Sequence, residues 1–238
     1  MSAKTSTSLI FVAVLIAGCT AVRGSGEVMT IDVPVEGFSR LAISHSFEVN
    51  VTVGDEPSLT LRIDDNLEPN LSVGVTDDVL RIGLLPRTTV SNATLEADVT
   101  VTLLEAIEGS GAVGIHLSAP IVGSALDLQL SGASELDGPM DIASMTGVMS
   151  GASEVTLSGR VGTLDIEASG ASDLAMLDLE VDALRVNLSG ASSAEVSVND
   201  SIEASLSGAS TLRYRGDPDV STLDVSGASS IGKITDPG

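Results

Sequence analysis

Three acidic residues, Glu135, Glu154 and Asp173, follow one another at intervals of 19 residues. If the intervening segments stack as strands, these carboxylates stand about 5 Å apart, where like charges oppose one another unless a cation or splayed side chains relieve them. Hard oxygen ligands in that arrangement suit Ca²⁺ or a cationic partner, so the column is a candidate calcium site. Solvated side chains fanning outward are the plainer alternative. The nine-residue Gly-Gly-x-Gly-x-Asp calcium repeat is absent. Paired acids also admit a polysaccharide hydrolase or lyase, and a hydrolase needs one carboxyl with a raised pKa beside one ionised partner. Acids occur on nearly every repeat and single out no pair. A lyase base would have to come from Arg160, Arg185, Arg213 or Arg215.

Other motifs carry less. Gly109, Gly111 and Gly114 match G-x-G-x-x-G, yet the motif follows Glu105 and Glu108 and opens no helix to receive a pyrophosphate. Ser230 and Lys233 match S-x-x-K on a strand-like segment without the companion motifs of a penicillin-recognising enzyme. The two histidines, His45 and His116, lie in β-like segments with nothing local to build a serine-histidine-acid triad. No His or Cys spacing fits a metal. No catalytic residue is assigned.

The elements that must position these side chains are written in a repeat. The tetrad Ser-Gly-Ala-Ser, or a close variant, begins at Ser110, Ser131, Ser150, Ser169, Ser189, Ser207 and Ser226. A near-constant spacing of 18 to 21 residues marks a solenoid whose coils bury their apolar faces by stacking. Five residues after each first serine stands an apolar side chain: Ile115, Leu136, Val155, Leu174, Ala194, Leu212 and Ile231. Leu117, Leu157, Met176, Val196 and Tyr214 follow two residues later, a period of two that belongs to strands. The tetrad glycines, Gly111, Gly132, Gly151, Gly170, Gly190, Gly208 and Gly227, suit a bend needing positive φ. The alanine column is expected inside a tight corner, and the serines are expected to pass hydroxyl hydrogen bonds from coil to coil. The fold class is all-β, a right-handed parallel β-helix with an irregular β N-terminal part.

That part, 31–105, alternates without the tetrad: Ile31, Val33 and Val35, then Phe47, Val49, Val51 and Val53, then Leu59, Leu61 and Ile63. It reads as early coils or a cap continuous with the solenoid of 106–238. Residues 19–30 read as a lipidated, flexible tether. The chain carries 33 acids against 11 Lys and Arg, a net charge of −22, which repels nucleic acid. Three Phe, one Tyr and no Trp leave few platforms for stacking on sugars or bases.

At the N-terminus Lys4 precedes the apolar run Leu9–Ala17, too short to span a bilayer and suited to a signal peptide over 1–18. The sequence Leu15-Ile16-Ala17-Gly18-Cys19 resembles a bacterial lipobox, which implies acylation of Cys19, the single cysteine. Several acyl chains hold a protein on a membrane where one does not. Thr20 in place of Asp after the cysteine implies, by the same resemblance, the outer membrane.

The repeated Ser-Gly-Ala turn, the all-β lead containing Gly37-Phe38 and the lipoprotein signal together resemble the auto-transporter adhesin, head GIN domain family of bacterial envelope proteins, over roughly residues 37 to 230. The resemblance implies a β-helix and a suggested adhesive role without catalytic residues. The expected protein is a non-catalytic envelope lipoprotein that binds a polysaccharide or an envelope protein. The alternatives are a polysaccharide-active enzyme and a structural or stress-related periplasmic lipoprotein. No cofactor is expected beyond the calcium considered above.

Overall fold

A computed structural model describes residues 20–235. Cys19 and the apolar leader lie outside the described residues. About 69% of the described residues are strand, arranged as a β-solenoid of about seven turns. The strands Glu135–Met149, Glu154–Ala168, Asp173–Leu188 and Ser193–Leu206 each make most of one coil and stack in parallel.

The alternation of the sequence becomes the inside and outside of this stack. In register, Ile115 lies on Leu136, then Val155, Leu174, Ala194, Leu212 and Ile231. Ile115 to Leu212 are at most 2% exposed, while Ile231, in the last strand, is half-buried. Leu157, Met176 and Val196 form a second column at 0–1%. Each such side chain contributes about 1.5–3 kcal/mol by leaving water, and a coil cannot make that gain without its neighbours. Variations in repeat length are absorbed where the register shifts, after Thr156, after Met176 and Val181, and after Ile202, while the inward columns stay aligned. The register moves from Met176 opposite Val196 directly to Glu180 opposite Ser197, three residues longer on one strand, and one residue is returned between Val181 and Ala183, which together give the difference between a 20- and an 18-residue repeat.

The tetrad forms a turn whose seven glycines all have φ between 71° and 100°. A Cβ on Gly151 would collide with the carbonyl oxygen of Gly132. That carbonyl accepts the Ala152 N–H at 2.7 Å, so backbone stacks on backbone at the bend. Two expectations about this turn are corrected. The alanines from Ala112 to Ala228 face solvent, and the tetrad's last serine faces inward: Ser134, Ser153, Ser172, Ser192 and Ser210 are 0–1% exposed. These inward hydroxyls form no ladder between coils; the expected coil-to-coil bonds come from the tetrad's first serines, as Ser131, Ser169, Ser189 and Ser226 donate to carbonyls of the preceding coil at 3.3–3.4 Å. Each inward hydroxyl donates to the carbonyl of the serine three residues earlier in its own turn, at 2.8–3.0 Å, because a buried hydroxyl without an acceptor is costly. In the first tetrad Val113 takes the inward place without needing an acceptor.

Coil geometry begins before the first tetrad. Arg40–His45 and Glu48–Val53 stack in parallel on Ala106–Gly111 and Gly114–Leu117. His45 takes the glycine position opposite Gly111 with φ 72°. Val79–Leu84 and Leu95–Val101 extend the stack, and Leu71–Thr76, Ser58–Asp64 and Val28–Val33 then close the N-terminal end with antiparallel pairings. The 3₁₀ helix Asp65–Asn70 buries Leu67 completely.

The segment expected to be a flexible tether is ordered. Thr20–Arg23 pairs in parallel with Thr88–Ser91, and Val28–Val33 pairs with Ser58–Asp64. Asp64, 1% exposed, accepts the N–H groups of Gly26 at 2.6 Å and Thr94 at 2.7 Å. Charge-assisted bonds to backbone donors fix this segment against the cap, and composition alone did not show it.

Candidate functional site

The acidic column is longer than the three residues that first suggested it. In strand register Glu96 lies beside Glu48, then Gly114, Glu135, Glu154 and Asp173. The outward residues two places on are Asp98, Asn50, His116, Asp137 and Thr156. Because alternate residues of a strand share a face, both columns project from one side of the solenoid. A depression of about 230 Å³ lies at its N-terminal half, between Glu48, Glu96, His116, Glu135 and Asp137.

Local pairing engages several of these side chains. Arg62 bridges Glu96 at 2.5 Å at one end of the column, and His116 Nδ1 meets Asp137 Oδ2 at 2.5 Å. Asp173 accepts the Ser193 hydroxyl at 2.7 Å. Glu48 is the exception. Gly114 has no side chain, and the Glu48 carboxylate occupies the room that a Cβ there would need. Burial, then Glu135 and Glu96, push the Glu48 carboxyl above its ordinary value.

A carboxyl raised in the folded state binds its proton more tightly there than in the unfolded chain. Stability therefore falls as pH rises from the ordinary carboxylate range through the folded value, and the loss is complete above it. Glu48→Gln is expected to raise stability at neutral pH by less than about 1 kcal/mol, since the face is wet and screened. The gain should vanish below the ordinary carboxylate range. Equal gains at both pH values in melting curves would refute the assignment.

Glu135, Glu154 and Asp173 are exposed and in register. Among the described residues, no three His, Cys, Asp or Glu side chains converge as metal ligands would. The sequence search missed Glu48 and Glu96. Glu48 was signalled: Ser44-His45-Ser46-Phe47-Glu48 is a degenerate turn with its acid at the same offset as Glu135 from Ser131. Glu96 carried no such sign, because its strand is antiparallel to one neighbour and lies outside the repeat.

The enzyme-like motifs take structural roles. Gly109 to Gly114 runs along a strand and a turn, with no helix following. Lys233 Nζ pairs with Asp217 at 2.9 Å, while the Ser230 hydroxyl faces Thr211. His45 Nδ1 accepts the Leu84 N–H at 3.2 Å and lies 2.9 Å from the Ser44 hydroxyl, contacts that hold a turn. No helix among the described residues is long and apolar enough to cross a membrane.

The fold is shared with solved structures. A "putative adhesin" from Bacteroides fragilis superposes with a TM-score of 0.84 at 19% identity, covering 90% of this chain and 100% of that one. A "putative adhesin" from Parabacteroides merdae gives 0.70 at 18%, covering 90% and 99%. A "putative lipid binding protein" from Parabacteroides distasonis gives 0.71 at 16%, covering 91% and 100%. At these identities the likeness shows the fold alone. A search of curated proteins finds no match. The family model described as "Putative auto-transporter adhesin, head GIN domain" matches residues 37–218, and the tetrad turns, the coil register and the capped N-terminal end all fall within or beside that span. The chain belongs to that family.

Proposed function

We propose that this protein is a non-catalytic, adhesion-type binding module of the bacterial envelope, held on the outer membrane through acylated Cys19. The observation that carries the reading is the outer face itself. Its acids, amides and hydroxyls repeat in strand register from Glu96 to Asp173, and no catalytic pair is set apart from them. A surface of repeated polar groups binds an extended partner by summing many weak contacts, which fits a polysaccharide or an envelope protein. The interior is filled by side chains at 0–5% exposure, so recognition takes place on the outside.

The test is a retention assay of the full chain against envelope and host polysaccharides, with Ca²⁺ or a chelator, recording bound material and released products together. Retention without cleavage is expected, and calcium dependence would assign the cation to the Glu135, Glu154 and Asp173 column. Release of shortened products would replace this reading with a polysaccharide-active enzyme; silence on both readouts would favour a structural envelope protein. Run alongside, Cys19→Ala should abolish acyl labelling and free the protein from membranes, and unchanged labelling would overturn the anchor.

A further inference from the structure

The two ends of the solenoid are built differently. At the N-terminal end antiparallel strands and a 3₁₀ helix fold over the core, and Leu61, Ile63 and Leu67 there are fully buried. At the other end, among the described residues, Asp219–Val225 pairs with Ser193–Leu206 and Ser230–Lys233 with Thr211–Arg215, and the opposite edge of each has no strand partner. Val220, Leu223 and Val225 lie in register with Ile202, Ala204 and Leu206. Those three predecessors are 0–2% exposed; the three in the last coil are 36%, 50% and 40%. They stand at core positions that no further coil covers among the described residues.

We propose that this open end is a self-association surface on which a second copy of this chain docks end to end, forming a closed twofold pair. Charge decides the occupant. The chain as a whole carries −22, yet residues 211–235 hold three cations, Arg213, Arg215 and Lys233, against three anions, Asp217, Asp219 and Asp224. Arg213 is paired with Glu195 and Lys233 with Asp217. Two copies meet here without the repulsion they would face along the acidic sides. A twofold axis across Asp219–Val225 sets the two edges antiparallel, a pairing open strands form readily, and covers the three apolar side chains of both copies at once. The covered N-terminal end offers no matching core surface. The contact is therefore the same patch on both partners and stops at two, where a head-to-tail stack would continue into a filament.

The test is detergent-matched sedimentation of the full chain over a wide concentration range, with hydrogen exchange measured in parallel. A species of two protomers and no larger is expected at high concentration, with slowed exchange confined to 211–233. Leu223→Lys should weaken the pair at least about tenfold by placing two cations face to face. Val122→Lys, at a surface valine that is 67% exposed elsewhere, should leave it unchanged. A protomer at all concentrations, growth beyond two copies, or a pair indifferent to Leu223→Lys would overturn the proposal. If Leu223→Lys does not fold, the exchange pattern of the unaltered protein decides, and concentration-dependent protection outside 211–233 counts against the proposal. None of these outcomes depends on polysaccharide retention.

Discussion

Gly170→Val is expected to abolish cooperative folding. Gly170 has φ +83°, a left-handed conformation that opposes a β-branched side chain. A Cβ there would collide with the carbonyl oxygen of Gly151, and backbone on both sides leaves nothing flexible to yield. That carbonyl also accepts the Ala171 N–H at 2.7 Å, so widening the gap breaks the bond between the two coils. Strain, overlap and a lost bond together exceed about 4 kcal/mol, a large share of a domain's stability. Gly147→Ala is the matched control. Its added Cβ would meet Met149 and Ile166 side-chain atoms at 3.4 Å and beyond, ordinary contact, and its φ is not left-handed. Thermal unfolding followed by circular dichroism separates the two. A Gly170→Val transition close to that of the parent would refute the account of the turn.

The second large effect is Leu174→Asp. Leu174 is completely buried, with Val155 below it and Ala194 above. An aspartate there either ionises in an apolar interior or carries its proton up to high pH, and either costs several kcal/mol. Since coils are stabilised by their neighbours, the damage should be directional. Hydrogen exchange is expected to show 173–235 losing protection while the capped coils from Arg40 to Val101 keep theirs. Thr156→Asp, on the exposed face of the preceding coil, should change stability by no more than about 0.5 kcal/mol. A Leu174→Asp protein with an unchanged transition would remove this column from the core.

Much of this architecture was legible because the period of the sequence is the period of the coil. The columns of Leu136 and Leu157 were read correctly, since apolar residues that alternate at fixed offsets in every repeat must share the dry face of a strand. Residue type points the wrong way for the tetrad, placing its alanine inside and giving no sign that its last serine is buried. The interior lies at odd offsets from the first serine, three, five and seven, so the pattern itself already placed Ser153 inside and Ala152 outside. What hid this was the prior that serine is wet, which fails when the turn supplies its own carbonyl to the hydroxyl. The ordering of residues 20–30 was not legible at all. It rests on strand pairing with Thr88–Ser91 and on Asp64, some 40 positions away, which takes up the backbone N–H of Gly26, and no side-chain pattern announces either.

The bends that absorb the differences in repeat length have a consequence for reach. Because added or missing residues are taken up at these register shifts without disturbing the inward columns on either side, whole coils are interchangeable lengths of scaffold. Excising 150–168 brings Ser169 into the place of Ser150 and shortens the rod by about 4.8 Å, with the capped and open ends unaltered. The molecule behaves as a calliper: evolution can set the distance between its ends by counting coils, separately from the chemistry that either end performs.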